Sequence, residues 1–287
     1  MAAWEGAVSN DRCRFPRALG LNRGPERGNS GAERMTYAVL QTELAIPPVE
    51  KLKRAFRSVK FLTELDAHTL ANDAFGILVK RLSFEQASAL KGALLTEGIE
   101  TEVVEEPRLP TLAQTKFVHR LECSPDGLLV YDPLNRSFTL EWKHIILIAA
   151  GRVRLTEFKQ VRKTRYQTRY DFQGNPHQEE IVERSSKEER NFHLLLELIL
   201  TRGVQRFSAT ADKFDFRYLG DRLTRDATGN FTMLVQDLVK FAPHAAINQG
   251  AYYLRENAPD PFSYPSKNAF FEEITWLLWR VSQAAAP

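Results

Sequence analysis

The sequence predicts an α+β chain with two cores, the first mixing helices and strands, the second mostly strand, followed by C-terminal helices. Three observations carry this. Over residues 36–106 the apolar positions switch between period two and helical spacing, whereas over 116–225 period two dominates with frequent turn signals. From 226 onward helical stripes return. A length of 287 residues suits two domains of roughly 100–200 residues each. Hydrophobic content of 43% and charged content of 26% are ordinary globular proportions, which argues against wholesale disorder or a fibrous repeat. The expected organisation is a leader over 1–34, a first domain over 36–106, a linker over 107–115, a second domain over 116–225 and a helical extension over 226–287.

The leader carries six arginines, no lysine and no apolar period. Its acids Glu5, Asp11, Glu26 and Glu33 argue against a transit peptide, and the expectation is a disordered segment outside the fold. In the first domain, residues 37–44 alternate as a strand, and Pro47-Pro48 supplies the fixed φ of a helix start. Val49, Leu52, Phe56 and Val59 then fall at helical spacing. Residues 75–82 read as a strand. Ser83-Phe84-Glu85-Gln86 is a capping box, and Gly98 sits where a left-handed residue ends the helix before a strand over 99–104. The order β-α-(β)-β-α-β resembles the ferredoxin-like split β-α-β fold, with a second strand implied near 61–65 and 66–73 left open to a helical reading. That fold hosts amino-acid sensing, RNA binding and dimerisation, so the resemblance implies no single function.

After the proline-punctuated linker, strands are expected over 117–123, 127–131, 137–142, 144–148 and 152–158, with turns at 124–127 and 132–136. Leu128-Leu129-Val130-Tyr131 followed by Phe138-Thr139-Leu140-Glu141-Trp142 is similar to the opening strands of pleckstrin-homology-like (PH-like) domains. Residues 194–200 are leucine-rich and stay open between a buried strand and a helix. In the extension, Asn230 is expected to cap a helix striped by Phe231, Leu234, Val235, Leu238 and Val239. The last helix carries Phe270, Ile274, Leu277, Leu278 and Val281 on one face, and Phe271, Trp276 and Trp279 widen its apolar surface. Two readings stand: docking across the chain's own core, or an interface for a dimer or partner built on Phe270, Ile274, Trp276, Leu277 and Trp279.

Enzyme chemistry lacks its usual signatures. The six histidines form no HExxH, and GxSxG, GxxxxGK[ST] and GxGxxG are absent from the sequence. His119 and Cys123 share a strand face in the 117–123 reading, which fits a packed core face better than a nucleophile pair. The adjacent carboxylates Glu105-Glu106, Glu179-Glu180 and Glu272-Glu273 diverge from each other and are expected to be solvated. Cys13 and Cys123 make no disulfide framework, which suits a reducing cytoplasm. The apolar runs 145–150 and 194–200 fall short of the ~18–20 residues that cross a bilayer.

A net charge of +3 does not single out an anionic partner, but the segment 152–170 is locally basic. Lys159, Arg162, Lys163, Arg165 and Arg169 are the candidate ligand-binding residues within it. The run from Lys159 to Arg165 resembles the loose lysine–basic–x–arginine pattern of phosphoinositide-binding pleckstrin domains, displaced to follow several strands. As a strand, the segment sends Tyr166, Thr168, Tyr170 and Phe172 one way and Lys163, Arg165, Gln167 and Arg169 the other. A turn at Gly174-Asn175-Pro176 gives a competing account: a self-neutralising hairpin with Arg169 facing Glu180, Tyr166 facing Glu183 and Arg165 opposite Arg184. A second place is the turn at 218–222, which brings Tyr218, Asp221 and Arg222 together.

The expected function is a non-enzymatic regulatory or protein-interaction protein whose partner is another protein or a second copy. The alternatives are a module for an anionic ligand, whether phospholipid headgroup, membrane surface or nucleic acid, and a small-molecule sensor or enzyme of unfamiliar type. No cofactor and no metal are expected.

Overall fold

The computed structural model describes residues 35–284 except 133, 171–172, 174–175, 202–204 and 260–261, and only the backbone of 169–170, 176–179 and 183–184. The leader expected over Met1–Arg34 lies outside the described residues. The first sheet holds β1 (Tyr37–Gln41), β2 (Ile77–Leu82) and β3 (Thr101–Glu105), antiparallel in the order β2-β1-β3. Between its strands run α1 (Val49–Ser58), α2 (Glu64–Asp73) and α3 (Phe84–Thr96). Leu52, Phe56, Ala67, Ala71, Ala87, Leu90 and Leu94 bury the helices against one face of this sheet. The Ser83 capping box forms as expected, and Gly98 takes φ +75 at the helix end.

No strand forms at 61–65. Thr63 instead caps α2: its Oγ1 accepts from the Asp66 N–H at 3.1 Å, and its own N–H donates to Asp66 Oδ2 at 3.0 Å. Among the described residues the first sheet therefore has three strands where a ferredoxin-like sheet has four.

The second region is built on β4 (Thr115–Phe117), β5 (Arg120–Ser124), β6 (Gly127–Tyr131), β7 (Ser137–Leu140), β8 (Ile145–Tyr170), β9 (Pro176–Leu200) and β10 (Arg206–Thr210). The strand expected over 117–123 is two strands in different sheets, and His119 falls in the break between them. β5-β6-β7 is a small antiparallel meander. The strands expected at 144–148 and 152–158 are one, because Gly151 makes no turn. A Cβ there would lie 2.6 Å from the Tyr264 ring, so the glycine is a point of close approach. Residues 194–200 are strand, the inner end of β9.

The C-terminal residues form α4 (Ala227–Phe241), β11 (Ala246–Ile247), α5 (Gln249–Arg255), β12 (Ser263–Tyr264) and α6 (Lys267–Ala284). The large sheet runs β11-β8-β9-β10-β4, with β12 also on β8. Asp226, not Asn230, caps α4, accepting from the N–H groups of Thr228 and Gly229. Asn230 is buried inside the helix and bonds back to Thr224. α4, α5 and the small sheet cover one face of the large sheet.

α6 covers the other face, with Phe270, Ile274 and Leu278 packed on Leu147, Ala149, Val153, Leu195 and Ile199. Its opposite flank sends Trp276 and Trp279 onto Ala38, Leu40, Ile77 and Val104 of the first sheet. Leu277 is partly buried beside both groups. The wide apolar surface of this helix is thus spent between two sheets of its own chain. Met35–Pro287 forms one compact unit. Among the described residues no helix is long and apolar enough to cross a membrane.

Candidate functional site

β8 and β9 pair antiparallel along their whole length. Among the described residues only their inner ends have other neighbours: β12 ends opposite Val153, and β10 ends opposite Leu195. Beyond those points the two strands project as a ribbon roughly 50 Å long at 3.3 Å per residue, with neither outer edge paired to another strand among the described residues. The register places Tyr166 opposite Glu180, Arg169 opposite His177, Arg165 opposite Ile181 and Arg162 opposite Arg184. The expected pairs of Arg169 with Glu180 and Tyr166 with Glu183 are therefore shifted by three residues. Pro176 already belongs to β9, opposite Tyr170, and the expected turn residues Gly174 and Asn175 lie outside the described residues.

Opposed residues share a face, so odd and even numbers divide the ribbon. On the odd face Lys159 meets Glu189 at 2.6 Å, Lys187 meets Glu189 at 3.4 Å and Asn191 donates to Glu157 at 3.3 Å. The Glu189 carboxylate beside Lys159 holds that ammonium above its ordinary value, and Lys159 in turn holds Glu189 below its own. This part of the basic segment neutralises itself. On the even face Arg152 and Arg154 lie over the Phe192 ring at 4.2 and 5.0 Å, while Phe158 and Tyr166 stand 71% and 64% exposed. Arg162, Lys163 and Arg165 are exposed and have no ion-pair partner among the described residues. The Arg169 side chain lies outside them.

The 218–222 turn is assembled differently from the expectation. Tyr218 donates to Asp237 Oδ2 at 3.1 Å, and Arg222 grips both Asp237 oxygens at 3.1 and 2.6 Å. The carboxylate that joins them comes from α4, while Asp221 is exposed and outside the cluster. Burial pushes the nearby Cys123 thiol and the Tyr218 phenol well above their ordinary values, with the Asp237 charge adding to both. A thiol and a phenol held in their protonated forms are poor nucleophiles, and the cluster fastens the turn to α4.

Two buried carboxylates escape sequence reasoning. Glu197 in β9 is 2% exposed and stands 3.5 Å from Arg206 Nε; burial pushes its carboxyl up to about 7 against the pull of Arg206. Glu273, expected in solvent, is fully buried because α6 is covered on both flanks. It accepts from Gln249 N–H at 2.7 Å, from Asn248 at 3.4 Å and from the Tyr264 hydroxyl; burial nevertheless pushes it up to about 7. Its neighbour Glu272 is mostly covered and pairs with Lys80 at 2.6 Å.

A cleft of about 130 Å³ lies beside the end of α2 and the start of α6, lined by Asp73, Phe75, Phe262 and Tyr264 among others. It is smaller than the pockets that enclose organic ligands, which run to roughly 300–1,000 Å³. Among the described residues no group of three or more His, Cys, Asp or Glu side chains gathers as a metal site.

No family model, curated protein or solved structure matches this chain.

Proposed function

We propose that the chain is a non-enzymatic interaction protein whose working element is the β8–β9 ribbon. One observation supports this above others: among the described residues the ribbon has no third strand outside Arg154 and Leu194, yet it carries exposed Phe158 and Tyr166 and a dense set of charges. A two-stranded ribbon in water is marginal, so a surface that completes it stabilises it. The first sheet is read in the same spirit, as a split β-α-β layout in which α2 takes the place of one strand, a scaffold without chemistry of its own.

The test replaces residues 156–190 by Asn-Gly, which closes a two-residue hairpin on Leu155 and Asn191, an opposed pair. The shortened chain is expected to melt as the intact chain does while losing whichever of self-association and polyanion binding the intact chain shows. Equal behaviour of the two chains in both assays would remove the ribbon as the working element.

A second reading, anion binding, draws on Arg162, Lys163 and Arg165, which stand exposed side by side without an ion-pair partner among the described residues. It predicts binding that falls steeply as salt rises.

A further inference from the structure

The two open edges of the ribbon are not equivalent. Between Arg152 and Arg169, β8 carries seven cations against the single acid Glu157. A run of lysine and arginine along an edge opposes the addition of another strand. β9 mixes its signs: Glu179, Glu180 and Glu183, then Arg184, the neutral pair Ser185-Ser186, Lys187, Glu188, Glu189 and Arg190. Such an edge can complement itself.

A twofold axis perpendicular to the sheet leaves each residue on its own face, so residues opposed across it must both be odd or both be even. The axis then passes midway between one residue and the same residue of the second copy. Centred on Ser185, it sets Glu180 opposite Arg190 and Glu183 opposite Lys187, each pair occurring twice, and opposes no like charges between 179 and 191. Moving it to Arg184 opposes that arginine to itself and Glu180 to Glu188. Moving it to Ser186 opposes Glu183 to Glu189. Sequence and register together thus distinguish one centre from its neighbours.

We propose that β9 pairs antiparallel with β9 of a second copy about Ser185, joining two ribbons into a four-stranded sheet. The pairing rests on the ribbon being the interaction element. A second copy is favoured over nucleic acid because Glu179, Glu180, Glu183, Glu188 and Glu189 repel phosphate along this edge, whereas the twofold places three of these five acids opposite cations or an amide. The sheet also supplies the third and fourth strands that a lone ribbon lacks.

The experiment uses the full chain with Cys13→Ser to remove the leader thiol. Ser185→Cys is expected to give a disulfide-linked dimer under mild oxidation, because the residue meets its own copy on the axis. Gln160→Cys, opposite Ser186 on the neighbouring strand, serves as the control and is expected to cross-link far less. In sedimentation, Glu180→Arg is expected to weaken the dimer by about tenfold, and adding Arg190→Glu to restore it. Glu180 and Arg190 face Tyr166 and Thr156 within the ribbon, so neither change sets like charges opposite each other there. Equal cross-linking of the two cysteine variants, or no rescue by the double variant, would overturn the pairing. So would a monomer at every concentration that binds duplex DNA with a steep salt dependence. Those results leave the ribbon itself in play, since only the 156–190 replacement tests whether it is the working element.

Discussion

Glu273 is held by donors alone. The Tyr264 hydroxyl accepts from Asn248 Nδ2 at 2.7 Å and from Gly250 N–H at 3.0 Å, which uses both lone pairs and leaves its proton for Glu273. With Gln249 N–H on the other oxygen, hydrogen bonding favours the ionised carboxylate while burial opposes it, and burial is the larger effect. The consequence for stability follows from the sign. A carboxyl raised from 4.5 to about 7 in the folded chain favours folding while it is protonated, and that contribution is lost as pH rises through about 7. Glu197 acts in the same direction. Each group is worth about 3 kcal/mol across the whole range, at 1.36 kcal/mol per pH unit. The urea midpoint of the wild-type chain is therefore expected to fall between about pH 5.5 and about pH 8, with a shallower fall in Glu273→Gln. Parallel slopes in the two proteins would show that Glu273 does not titrate in this window.

At the scale of elements, α6 is the strongest test of how the chain is held together. Trp276 is 8% exposed, donates from Nε1 to Gln41 O at 2.7 Å and lies against Gly76, where an added Cβ would sit 2.9 Å from the tryptophan Cβ. Trp276→Ala removes both the ring and the hydrogen bond, and is expected to cost about 3–5 kcal/mol. A loss below about 1 kcal/mol in urea denaturation would mean that α6 is not essential to the first sheet. The local signals that proved legible are those with a complete chemical signature. The Ser83 box and Gly98 fixed α3 at both ends, because capping is decided by residues three or four apart. Thr63 and Asp66 form the same kind of box, but α2 buries only Ala67 and Ala71, so no apolar stripe drew attention to it. Gly151 looks like a turn until Tyr264, 113 positions on, is known to lie against it. Separations of 15 to 19 residues likewise hid Asp237 from the 218–222 turn, and Gln249, 24 positions before Glu273, was hidden from it in the same way. The basic segment 152–170 was visible in the sequence. Its register was not, since a three-residue slip depends on how the loop closes.

At the scale of the molecule, the wedge of α6 between two sheets separates a well-buried body from a ribbon with little apolar cover. Val153, Leu195 and Ile199 are buried under α6, whereas residues 162–168 of β8 and 185–188 of β9 are exposed. Opening the ribbon therefore exposes little apolar surface, while opening the inner halves of the same strands disrupts the core. Amides of 156–168 and 185–190 are expected to exchange with solvent at least about a hundredfold faster than those of 147–153 and 195–199 in dilute protein. Pairing between copies adds a second condition. As protein concentration rises, the outward-facing amides of β9 near Ser185 gain protection, and those on the outer edge of β8 do not, because only β9 acquires a new neighbour. Hydrogen exchange followed at two concentrations separates the outcomes. Uniform protection along both strands at low concentration would mean that the ribbon is stable alone, which removes the physical reason for a partner. Protection that rises equally on β8 and β9 would point to an occupant lying across the ribbon's face and not along its edge.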